Sequence, residues 1–176
     1  GLKIAAAFSG RQDTALYGRQ GCLPPPLLRL AIALFILLIG FSSFAAPIKI
    51  SLLTGDAQSA AAIGAITELR RDPTLKDVTV RAFPRIELSE ADRRFVRESD
   101  IIVGYPRYGA LLRALAPEIR ITADRGGFVA GVGGALDPDF ADLGFKLDAA
   151  LAAYFDGGGQ ANLVQMVRAA LARKHF

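Results

Sequence analysis

Between residues 48 and 124 the hydrophobic period of the chain keeps changing, and that alternation limits the folds open to it. IKISLLTG (48–55) is a short apolar run rich in Ile and Leu that ends at Gly55, with Asp56 placed to cap a helix. The next segment, 57–72, sets Ala62, Ile66 and Leu69 on one helical face. It stops at Asp72-Pro73, where proline cannot continue a helix. DVTVRAF (77–83) alternates in the manner of a strand. SEAD (89–92) spells a capping box, with Ser89 as N-cap and Asp92 at N3, and opens a helix to about Glu98. DIIVGY (100–105) reads as a buried strand, YGALLRALAP (108–117) as a short helix ended by Pro117, and IRITA (119–123) as a fourth strand.

Apolar strands that alternate with helices imply an α/β domain over residues 47–176. The expected architecture is a parallel sheet of about four to five strands flanked by helices, in flavodoxin- or Rossmann-like layering. Ligands of such sheets sit beyond the carboxyl ends of the strands. The expected strand ends are Thr54-Gly55-Asp56, Phe83-Pro84-Arg85, Gly104-Tyr105-Pro106-Arg107 and Ala123-Asp124-Arg125. They nominate Asp56, Arg85, Tyr105, Arg107, Tyr108 and Arg125 as ligand-binding candidates. Tyr105, Arg107 and Tyr108 combine aromatic faces with a guanidinium: they either stack on and pair with a flat anion or pack the rim of the sheet.

The remainder is less regular. The glycine-rich segment 125–140 reads as a loop with room for a short strand over Phe128–Ala130, followed by a helix from about Phe140 to Phe155. Gly157-Gly158-Gly159 then precedes a last helix to about Lys174, striped by Leu163, Met166, Val167, Ala170 and Leu171. A phosphate cradle would follow a strand and lead into Lys-Ser/Thr. Here a helix precedes the glycines and Gln160-Ala161-Asn162 follows, so they read as a tight reversal between helices. Gly131-x-Gly133 is no nucleotide fingerprint either, because Leu136 stands where the third glycine belongs.

Ahead of the domain, residues 1–26 show no periodic pattern. Residues 27–46 place Arg29 before the apolar run Leu30–Phe41 and then the small residues Ser42, Ser43, Ala45 and Ala46. That order fits a secretory signal peptide cleaved after Ala45. Its uncharged run through Ala46 is 17 residues, which also suits a short membrane anchor. Either reading puts the domain outside the cytoplasm, in the periplasm or on the membrane facing it. The chain opens on Gly1 and its only methionine is Met166, as expected for a piece of a longer protein or a start placed upstream of the true one.

The net charge of +4 does not imply nucleic-acid binding, since the leader holds four of the 21 basic side chains and one of the 17 acidic ones. Little excess charge remains on the domain. The lone Cys22 lies in the leader, so no disulfide is expected. No metal site is expected around His175, the single histidine. Asp137, Asp139 and Asp142 form an acidic cluster, which either holds a cation or, as Pro138 favours, is a turn leading into a helix cap. No set of residues suggests a nucleophile or an acid–base pair, and no catalytic residue is nominated.

The stretch from Asp100 onward resembles the N-terminal region of the large subunit shared by cobaltochelatase and magnesium chelatase. The matching pieces are Asp100-Ile101-Ile102-Val103, then Tyr154-Phe155-Asp156-Gly157-Gly158-Gly159, then Asn162-Leu163. IKISLLTGDAQSAAAIGAITEL is similar to the start of that region. The sequence departs after the third strand, where Gly104-Tyr105-Pro106-Arg107-Tyr108-Gly109 stands in place of the arginine and glycine pair of many members. The resemblance implies that the chain is the front domain of a much longer subunit. That subunit would bind a tetrapyrrole (corrinoid, haem or porphyrin), take a metal ion as substrate, and work with other chelatase or uptake subunits. This piece need not catalyse anything alone. The alternative is a free-standing periplasmic binding module for a small anionic or tetrapyrrole ligand.

Overall fold

A computed structural model of the chain describes residues 46–133 and 138–174. The expected signal or anchor segment lies outside these residues but for Ala46, as do Cys22, Asp137 and His175. Among the described residues no helix is long and apolar enough to cross a membrane.

Five strands form one sheet: β1 (Ile48–Leu53), β2 (Val78–Ala82), β3 (Ile101–Gly104), β4 (Phe128–Gly131) and β5 (Lys146–Leu147). Their spatial order is β2-β1-β3-β4-β5, and every pairing is parallel. The chain thus steps outward from β1 to β2, then returns across β1 and builds in the opposite direction from β3 onward. Register sets Ile50 beside Ile101 and Leu52 beside Val103. Because side chains alternate along a strand, these four face one side of the sheet and Ile102 faces the other. All five are fully buried, so both faces are covered.

One face packs against α1 (Ser59–Leu69), α6 (Ala149–Gly157) and α7 (Gly159–Lys174), which contribute Ala62, Ala65, Leu151, Phe155, Leu163 and Met166 to its core. The opposite face packs against α2 (Glu90–Arg97), α3 (Gly109–Ala114) and α4 (Ala116–Asp124) through Phe95, Val96, Leu111, Leu112 and Ile119. Phe140 of the short α5 (Pro138–Ala141) closes the same layer. Each fully buried Leu or Ile contributes roughly 1.5–3 kcal/mol. The capping box at the start of α2 forms as expected: Ser89 Oγ accepts from Asp92 N–H, and the Asp92 carboxylate accepts from Ser89 N–H.

Four expectations fail, each for a local reason. IRITA is not a strand but the body of α4. Pro117 does not end a helix; it sits in the first turn of α4, where its missing N–H has no partner to lose. Ile119 and Thr122 point inward one turn apart, while Ile121 is 43% exposed, so the apparent alternation is chance. The true fourth strand is Phe128–Gly131, on the glycine-rich segment. The helix expected over 140–155 is broken, because Gly144 turns the chain at φ 91° and Asp148 starts α6 anew, accepting from Ala150 and Leu151 N–H at 3.0 Å each. Asp56 caps no helix by its side chain: it begins a short 3-10 turn (Asp56–Gln58), and α1 opens at Ser59.

Candidate functional site

The strand order reverses between β1 and β3, so the connections leaving these two strands diverge and leave a crevice beyond their carboxyl ends. The segment after β1 turns at Gly55, whose φ of 70° and ψ of −178° suit glycine alone. A second reason also requires glycine there. A Cβ at position 55 would lie 2.3 Å from the Tyr108 ring, so that ring rests on bare backbone. Tyr108 and Arg107 belong to a 3-10 turn, Pro106–Tyr108, that leads from β3 into α3.

At this place lies an open cleft of about 540 Å³, within the range of roughly 300–1,000 Å³ usual for small-molecule sites. Asp56 comes from the β1 loop, Arg85 and Glu87 from the β2 loop, and Arg107 and Tyr108 from the β3 loop. Ile86 and Leu111 give it an apolar lining. Neither Arg85 nor Arg107 has an ion-pair partner among the described residues, whereas Arg81, Arg93, Arg97, Arg168 and Arg173 each pair with a carboxylate. Two unpaired guanidinium groups beside an aromatic face suit a planar anion, which a guanidinium can grip through two parallel hydrogen bonds.

Four of the six nominated ligand-binding residues therefore meet in one cleft: Asp56, Arg85, Arg107 and Tyr108. Tyr105 does not line it. Its ring packs 4.7 Å from Phe155 and 5.7 Å from Tyr108, and a Cβ at Gly133 would lie 2.6 Å from it. Tyr105 thus fills the rim between the two core layers. Arg125 is corrected more sharply. Because IRITA is helical, Arg125 is the C-cap of α4 at the amino ends of the strands, where its guanidinium donates to Ser99 O at 2.7 Å. Ile86 and Glu87 also line the cleft, one and two positions beyond the expected strand end at Arg85.

The residues that carry the chelatase resemblance hold the fold. Asp100 sits at the corner before β3, where its carboxylate accepts from Lys49 N–H at 2.9 Å and from Lys174 Nζ. Burial works to raise the pKa of this carboxyl. The hydrogen bonds from Lys174 and Lys49, with the charges of Lys174 and Arg125, outweigh burial and hold it below the usual range. Gly157 ends α6, and Gly158 (φ 62°) and Gly159 (φ 77°) reverse the chain into α7. Asn162 Nδ2 donates to Gly158 O at 2.8 Å and ties the reversal, while Leu163 is fully buried and Tyr154 lies on the exposed side of α6. Among the described residues no group of three or more His, Cys, Asp or Glu side chains is arranged to hold a metal; Asp139 and Asp142 do not join such a group.

No family model, curated protein or solved structure matches this chain.

Proposed function

We propose that the domain binds a small molecule through its carboxylate groups in the cleft beyond β1 and β3 and performs no chemistry there by itself. The layering is that of a flavodoxin-like doubly wound sheet, whose ligands lie where the strand order reverses. The observation that carries the proposal is convergence. Residues from three separate strand-end loops, chosen for their type and position in the chain, line one cleft that holds two unpaired arginines. The cleft contains no arrangement of nucleophile and base, so binding is a simpler reading than catalysis. Asp56 and Glu87 offset the two arginines, which suits a small ligand with few anionic groups and further polar edges better than a nucleic-acid backbone.

The chelatase resemblance supplies the ligand class to try first, a tetrapyrrole carboxylate, and makes the domain the exported front portion of a longer metal-handling subunit. Asp100, Gly158, Asn162 and Leu163, which carry that resemblance, hold the fold and do not line the cleft. Titration of the purified chain with protoporphyrin and with citrate, followed by absorbance and calorimetry, tests the proposal. Saturable binding of either, weakened at least about ten-fold by Arg85→Ala with Arg107→Ala, supports it, since losing a charge-assisted contact costs about 1.5–3 kcal/mol. Binding of neither, or binding indifferent to the double substitution, overturns it. Binding of citrate without porphyrin keeps the anion site and removes the tetrapyrrole.

A further inference from the structure

A second cavity, of about 340 Å³, lies on the outer side of the β2 loop. Pro84, Arg85 and Glu87 line both this cavity and the cleft, so a single run of exposed chain separates them. The second cavity has the same make-up as the first. Ile66 and Leu88 give it apolar lining, and Arg70 and Arg81 give it charge. Ile66 and Arg70 stand one helical turn apart on the C-terminal part of α1 and its cap, so they point the same way. Arg81 is held in place, its guanidinium carbon 4.4 Å from the centre of the Phe95 ring and its Nη1 3.8 Å from the Asp92 carboxylate. Asp92 is already engaged by Ser89 as well. Arg70 has no ion-pair partner among the described residues.

We infer that the two cavities are halves of one groove, which takes an elongated ligand with an apolar middle and an anionic group at each end. One end pairs with Arg107 in the cleft and the other with Arg70, while the middle crosses Pro84 and Ile86. Arg85, on the shared wall, serves both halves. Ile86, 49% exposed, is an apolar side chain left at the surface where the middle of such a ligand would cover it. This inference rests on the cleft being a ligand site, and it adds a requirement of length and of two charges.

Calorimetry on the purified chain with rigid rods tests it: biphenyl- and terphenyl-dicarboxylates against the monocarboxylates of the same length. The expected result is that one diacid binds at least ten-fold more tightly than its monoacid. Arg70→Ala should erase that gain without weakening the monoacid, and Arg107→Ala should weaken both. Equal affinity of mono- and diacid at every length overturns the inference, as does a diacid gain that survives Arg70→Ala. If those failures come with monoacid binding that Arg107→Ala abolishes, the cleft remains a site and only its extension falls. If no rod binds, both fall.

Discussion

At the residue scale, Gly55 and Asp100 mark the two ends of the sheet. Gly55 is needed both for its backbone angle and for the Tyr108 ring resting on it. Gly55→Ala should destabilise the protein by at least about 1–3 kcal/mol from backbone strain alone, as read by urea denaturation. Part of the cost should vanish in a Tyr108→Ala background, because only the steric share depends on the ring. Additive losses would show that the contact does not matter. Asp100 makes a prediction in pH. Its folded pKa lies below the unfolded value of roughly 3.9. Its contribution is therefore full above about pH 5 and is lost as the pH falls through 4 towards the lower folded value. Asp100→Asn should cost about 1 kcal/mol at pH 7 and progressively less towards pH 3. A penalty unchanged over that range would contradict the role given to its charge. The need for glycine at 55 was not visible beforehand, because a strand-ending glycine has many uses and the tyrosine that covers it lies 53 positions away.

At the element scale, the legible parts were those whose signals are local. β1, β2, β3, the capping box of α2 and the stripe of α7 follow from periodicity and caps alone. The stretch from Pro117 to Phe155 was misread apart from the short strand expected over Phe128–Ala130, which is β4. There Pro117 could end one helix or begin another, and Ile119 and Ile121 could alternate as in a strand. Only packing decides, since α4 seats Thr122 Oγ1 on the carbonyls of Val96 and Arg97, at 3.0 and 3.2 Å. The two-residue β5 is too short to carry a periodic signal. The helical assignment of α4 has a direct consequence. Ile119→Ala should cost about 2–4 kcal/mol, whereas Ile121→Lys should stay within about 0.5 kcal/mol, as for an exposed helical position. Comparable losses at the two sites would restore the strand. At the α6–α7 reversal, Gly158→Ala should cost about 1–3 kcal/mol through its backbone angles alone (φ 62°, ψ 177°), because a Cβ there meets nothing within 4 Å.

At the scale of the whole molecule, four of the six nominated residues share one cleft. The rule that ligands sit beyond strand ends needs only the first three strands, and those were placed correctly. Arg125 was lost with the misread fourth strand, and Tyr105 was lost to packing against Phe155 and Gly133. The reading of residues 27–46 predicts that residues 1–46, fused ahead of alkaline phosphatase, make the reporter active outside the cytoplasm of a bacterial host; an inactive fusion would remove the proposed location. The central claim is the switch-point cleft, and amide chemical-shift mapping tests it most directly. Adding protoporphyrin or citrate to the isotope-labelled chain should move the amides of Gly55, Asp56, Arg85, Glu87, Arg107 and Tyr108 together. Shifts centred instead on Lys49, Asp100 and Arg125 at the amino ends of the strands would contradict it, as would no shifts at all.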